Sequence, residues 1–97
     1  MKDTYNVIVP RKVEESLKKL PLSIRLKLQA WIDDVGERGL MEVRKISGYH
    51  DEPLKGKLKG KRSIRLSIAY RAIYVLNEDG DISFVEVKEV NKHAYKK

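Results

Sequence analysis

Arg65 and Arg71 lie within Leu54–Leu76, a stretch reading LKGKLKGKRSIRLSIAYRAIYVL, which opens as a glycine-punctuated basic run and closes as two consecutive strands. From Lys55 to Arg71 it carries seven cations (Lys55, Lys57, Lys59, Lys61, Arg62, Arg65 and Arg71), and no acidic residue occurs between Leu54 and Asn77. From Ser63 onward the pattern has period two. Ile64, Leu66 and Ile68 fall on one face, and Ser63, Arg65 and Ser67 on the other. If the apolar set meets a core, Arg65 points from the opposite face, with Arg71 close by at the start of the next strand. Two cations on neighbouring strands repel each other unless an anion sits between them. Arginine suits that anion because its fork binds phosphate through parallel hydrogen bonds and keeps its charge. The competing structural reading pairs each arginine with a carboxylate, such as Glu86 or Glu89.

The chain closes with Val90-Asn91-Lys92-His93-Ala94-Tyr95 before two lysines. If the last strand runs antiparallel to the one before it, this end returns near Arg71. A titratable imidazole and a phenol would then stand beside two guanidiniums. Cutting RNA without a metal needs a base for the 2′-OH proton, cations for the charge gathering on the phosphate, and an acid for the departing 5′-oxygen. His93, Arg65, Arg71 and Tyr95 could supply all of these, although a histidine near a terminus is more often incidental. Tyr49-His50-Asp51-Glu52 reads instead as a turn whose polar groups serve the backbone. One histidine with two carboxylates is a thin metal site. No P-loop, GxGxxG or zinc spacing is present, so no cofactor is expected.

The elements that must position these residues follow from hydrophobic spacing. Thr4–Val9 alternates as a strand, with Tyr5, Val7 and Val9 on one side. Pro10 suits a first helical turn, and Val13, Leu17 and Leu20 predict a short helix over residues 10–20, which Pro21 stops. Ser23 is the expected cap of a second helix carrying Ile24, Leu28, Trp31, Ile32 and Val35 on one stripe, with Gly39 as terminator. Leu40, Val43 and Ile46 continue as a turn or two of helix. The segment GYHDEPLKGKLKGK reads as loop. Strands follow from Ser63, over Tyr70–Leu76 and over Ile82–Val90, with the turn Asn77-Glu78-Asp79-Gly80 joining the last two. The order β-α-α-β-β-β predicts an α+β fold: two helices on one face of a four-stranded, mainly antiparallel sheet, as a single domain over residues 1–97.

The 97 residues are enough for one modest core. Lys and Arg number 21 against 14 Asp and Glu, a formal charge of +7 that favours an anionic partner. There is no cysteine, which excludes disulfides, thiolate catalysis and sulfur-bound zinc, and fits a reducing cytoplasm. No apolar run approaches a membrane span, so a cytoplasmic protein without a membrane partner is expected.

Taken together, Leu54-Lys55-Gly56 with its basic loop, Arg62-Ser63-Ile64-Arg65-Leu66, Tyr70-Arg71-Ala72-Ile73-Tyr74 and the terminal Val90–Tyr95 resemble the RelE/ParE toxin superfamily of bacterial toxin–antitoxin systems. The resemblance covers essentially the whole chain and is best to the HigB-like and RelE-like ribonuclease branches. It implies a metal-independent endoribonuclease that cuts mRNA in the ribosomal decoding site through 2′-OH attack and is neutralised by a cognate antitoxin. It further implies that Arg71 stabilises the phosphate, that Arg65 holds the preceding strand's cationic position, and that His93 stands where the family carries its general acid or base. Lys55, Lys57, Lys59, Lys61, Arg62 and Lys92 would grip mRNA or ribosomal RNA. Tyr95 departs from the family pattern by following His93 so closely. The alternatives are a gyrase inhibitor of the ParE branch, without nuclease activity, and a plain RNA-binding module.

Overall fold

The computed structural model describes residues 3–80 and 82–92. Five strands form one sheet in the order β1-β5-β4-β3-β2: β1 Val7–Ile8, β2 Glu52–Pro53, β3 Arg62–Arg65, β4 Tyr70–Asp79 and β5 Ile82–Lys92. Helices α1 (Arg11–Leu17), α2 (Leu22–Arg38) and α3 (Leu40–Val43) lie between β1 and β2. The pairing is antiparallel except that β1 runs parallel to β5. No helix among the described residues is long and apolar enough to cross a membrane.

The α2 stripe behaves as its spacing requires. Ile24, Leu28, Trp31 and Val35 are all buried, and Trp31 packs tilted against Tyr74 of β4 with ring centroids 5.2 Å apart. Ile64, Ala72, Val85 and Val87 complete this core from the sheet. Gly39 ends α2 at φ 86°, the left-handed region that an L side chain rarely enters.

Four expectations are corrected. The sheet has a fifth strand, β2, within the stretch read as loop, because a two-residue strand containing proline carries no alternation to detect. The helices number three rather than two, because the expected helical turn at Leu40–Val43 is set off from α2 by Gly39. Pro21, not Ser23, is the N-cap of α2, which places Ser23 inside the first turn. Ile68 is exposed rather than aligned with Ile64 and Leu66, since β3 ends at Arg65 and Ile68 sits in the turn to β4.

The faces of β5 are set by a bulge. Ile73 pairs with Glu89 but Tyr74 pairs with Val87, leaving Lys88 without an opposite residue. Strict alternation would put Glu89 and Asn91 on the same side as Val85 and Val87. The extra residue keeps the two valines in the core and turns Glu89 and Asn91 to the open face, away from the helices.

Candidate functional site

Arg65 and Arg71 are direct cross-strand partners in the β3–β4 ladder, and Asn91 of β5 is the next partner of Arg71. Directly paired residues share a face. Their neighbours Ile64 and Ala72 are in the helix-side core, so the row Arg65–Arg71–Asn91 lies on the open face. Asn91 orients the middle member: Arg71 Nε donates to Asn91 Oδ1 at 3.4 Å, and Asn91 Nδ2 donates to Glu89 Oε1 at 2.5 Å. Glu89 therefore binds the asparagine rather than an arginine, and Glu86 takes Asn77 and Lys88. Among the described residues no carboxylate lies within ion-pairing distance of Arg65 or Arg71.

A concavity opens over the two arginines, lined by His50, Glu52, Ser63, Ile64, Arg65, Tyr70 and Arg71. His50 and Glu52 were expected only to serve a turn. The edge strand β2 brings them here, through the register Glu52↔Ser63, which places Glu52 on the open face two positions from Arg65. His50 sits at φ 47° and ψ 48°, the one described non-glycine residue with positive φ. Neither its residue type nor its spacing betrays this position. The left-handed backbone that aims it here emerges only when the loop is folded.

Behind the concavity, on the helix side, Asp51 is held from two directions. Arg62 Nε donates to its Oδ1 at 2.6 Å, and the Tyr74 hydroxyl donates to its Oδ2 at 2.5 Å. Its side chain is 1% exposed against 24% for Arg62. Burial alone would lower the Arg62 pKa, but the hydrogen bond and charge of Asp51 outweigh it and raise it. Burial raises the Tyr74 phenol first, and the charge and hydrogen bond of Asp51 raise it further.

No family model and no curated protein matches the chain. Solved structures do. A YoeB/ParE toxin from Agrobacterium tumefaciens superposes with TM-score 0.67 at 18% identity, over 92% of this chain and 99% of that one. YafQ from E. coli gives 0.63 at 17% over 90% and 91%. The YoeB–YefM complex from Staphylococcus aureus gives 0.65 at 16% over 92% and 97%. The chain has the fold of the RelE/ParE toxins.

On this RelE/ParE-type sheet the remaining sequence candidates separate into groups. Lys55, Lys57 and Lys59 are exposed in the β2–β3 loop, with Lys61 half-buried where the loop closes through Leu54 N–H to the Lys61 carbonyl at 2.9 Å. Arg62 turns to the helix side and is paired with Asp51, apart from these lysines. Lys92 is exposed at the end of β5, opposite Tyr70. Tyr70 belongs to the helix-side row and packs on the core while edging the concavity. His93 and Tyr95 lie outside the described residues.

Proposed function

We propose that this chain is the toxin of a type II toxin–antitoxin pair and that it cuts messenger RNA on the ribosome. The observation that carries the reading is the Arg65–Arg71 pair. It consists of two arginines directly opposite each other on the open sheet face, with neither ion-paired to a carboxylate among the described residues. The exposed lysine loop beside them adds a track for a phosphate backbone. The toxin role is supported by the RelE/ParE fold and by a neighbour that is itself a toxin–antitoxin complex.

In the proposed reaction the 2′-oxygen of the message attacks the adjacent phosphorus and the bond to the 5′-oxygen breaks, leaving a cyclic phosphate and a free 5′-hydroxyl. The 2′-OH proton passes to one protein group, and a second group gives a proton to the 5′-oxygen. His50 supplies one of these groups from the wall of the concavity, and His93 supplies the other. Arg71, oriented by Asn91, stabilises the charge that develops on the non-bridging oxygens. Arg65 holds the same phosphate from the opposite strand.

The deciding experiment is brief induction in growing cells, followed by mapping of message ends and of chromosome integrity. Cut messages with collapsing translation support the proposal. DNA breaks with intact messages overturn it in favour of a gyrase inhibitor.

A further inference from the structure

Residues 49–52 alternate between two environments. Tyr49 is buried, and its hydroxyl donates to Asp34 Oδ2 of α2 at 2.6 Å. Asp51 is buried too, between Arg62 and Tyr74. His50 and Glu52, the residues between and after, line the concavity and make no side-chain hydrogen bond among the described residues. The inward pair is pinned while the outward pair is left available.

The local backbone cannot maintain this arrangement unaided. β2 is two residues long at the edge of the sheet, and Pro53 offers no N–H to its ladder. A slip of one residue would turn Glu52 off the open face. The left-handed backbone of His50 is unfavourable for a side chain bearing a Cβ and persists only where its surroundings over-determine it. The hold that touches both β3 and β4 is the Asp51 carboxylate.

We propose that Asp51 is a positioning residue: held by Arg62 and Tyr74 behind the sheet, it fixes His50 and Glu52 in front, against Arg65 and Arg71. The catalytic consequence rests on the RNA-cutting reading above; the structural consequence does not. Arg62 then serves cleavage through Asp51 rather than by touching RNA.

The test compares wild type with Asp51→Ala, Asp51→Asn and Val13→Ala, the last a core truncation in α1, which packs on β5. Three quantities are read: single-turnover cleavage of a ribosome-bound message, affinity for the same message made uncleavable by 2′-O-methylation, and the His50 imidazole NMR signals, assigned with His50→Gln. Asp51→Ala is expected to slow cleavage on the order of tenfold to a hundredfold, the cost of a small misplacement. RNA affinity should barely change, because Arg65 and Arg71 remain. The His50 signals should broaden or split. Asp51→Asn should recover most of the rate, since its carbonyl still accepts from Arg62 and its amide can donate to the tyrosine oxygen. Val13→Ala should lose thermal stability and leave rate per folded molecule and His50 signals unchanged.

An unchanged rate in Asp51→Ala, or an equal loss in Val13→Ala at matched folded fraction, overturns the proposal. If wild type cuts no RNA, the catalytic reading fails by itself, and the imidazole spectrum still decides whether Asp51 holds His50: an unaltered signal in Asp51→Ala refutes it. Should Asp51→Ala not fold, Tyr74→Phe, which removes one of the two holds, carries the same comparison, with an intermediate loss expected.

Discussion

Arg65 and Arg71 are each other's direct partners across the β3–β4 hairpin, so the two cations share one site on the open face. Folding brings together charges that the unfolded chain keeps apart. The arrangement costs stability in the absence of an anion and returns it when a phosphate bridges them. If the pair binds phosphate as proposed, function and stability are opposed there.

Arg65→Gln should make the free protein more stable, by about 0.2–1 kcal/mol at low salt, the range for relieving like charges directly opposite in a sheet. Thermal unfolding at low and high ionic strength checks this, and the gain should shrink as salt screens the repulsion. Cleavage should fall in the same variant.

Arg71→Ala should lower cleavage by about 10²–10³, the usual effect of removing one donor from developing charge. Its unfolding midpoint should not fall, because the side chain contributes little to the helix-side core and its loss relieves the same repulsion from Arg65. Arg71→Lys should recover only part of the rate, since an ammonium cannot reproduce the paired hydrogen bonds of the fork. Single-turnover rates on a ribosome-bound message distinguish the two.

His50→Ala and His93→Ala should each reduce cleavage by about 10²–10⁴, the range for a lost proton-transfer group. The double variant should lose less than the product of the two single losses, because groups acting in one step are not additive. A rate untouched in either variant would assign the proton transfer elsewhere, with Glu52 the next candidate.

Tyr49 and Tyr74 make stability sensitive to alkali. Burial first, and then Asp34 or Asp51, raise their phenol pKa above the ordinary value. Below about pH 10, the unfolded reference, both states hold these protons and the hydrogen bonds contribute fully. Above it the unfolded chain releases them while the folded chain keeps them, so stability falls as pH rises. Denaturant unfolding from pH 8 to 11 should show that decline, with a shallower slope in Tyr74→Phe. At neutral pH that variant should already be about 1–3 kcal/mol less stable, since a buried carboxylate oxygen loses its partner.

Gly39→Ala should destabilise by more than about 1 kcal/mol, from backbone strain alone at φ 86°. The added Cβ would also clash with the Asp3 carboxylate, which accepts a hydrogen bond from Met41 N–H at 3.0 Å. The N-terminal segment should be displaced with it. Amide exchange at Leu40, whose N–H bonds the Thr4 carbonyl at 2.8 Å, reports that displacement.

What the sequence revealed depended on period. Arg65 was legible because Ile64 and Leu66 fix its face, and Arg71 because it opens a continuous apolar strand. The α2 stripe was legible for the same reason. His50 and Glu52 were not, because β2 is too short to carry a pattern and its proline reads as a breaker. Arg62 was misleading. It sits among lysines in sequence, yet the pleat sends it to the opposite face from Arg65, where Asp51 takes its charge. Glu89 read only as a partner for an arginine and Asn91 had no role, because counting by twos fails at an inserted residue and hides that Asn91 stands between them.

That insertion at Lys88 makes one residue of β5 a spacer, present in the chain but absent from the ladder. Exchanging Lys88 for most other residues leaves the faces of β5 intact. Deleting it brings Glu89 directly after Val87, the succession the ladder already uses, so Glu89 and Asn91 keep the open face and Val90 the helix side. The hazard is a register that admits Lys88 to the ladder: it would exchange inside for outside along the rest of the strand and leave Arg71 without the asparagine that steadies it. Scans of substitutions and of deletions should both find position 88 permissive.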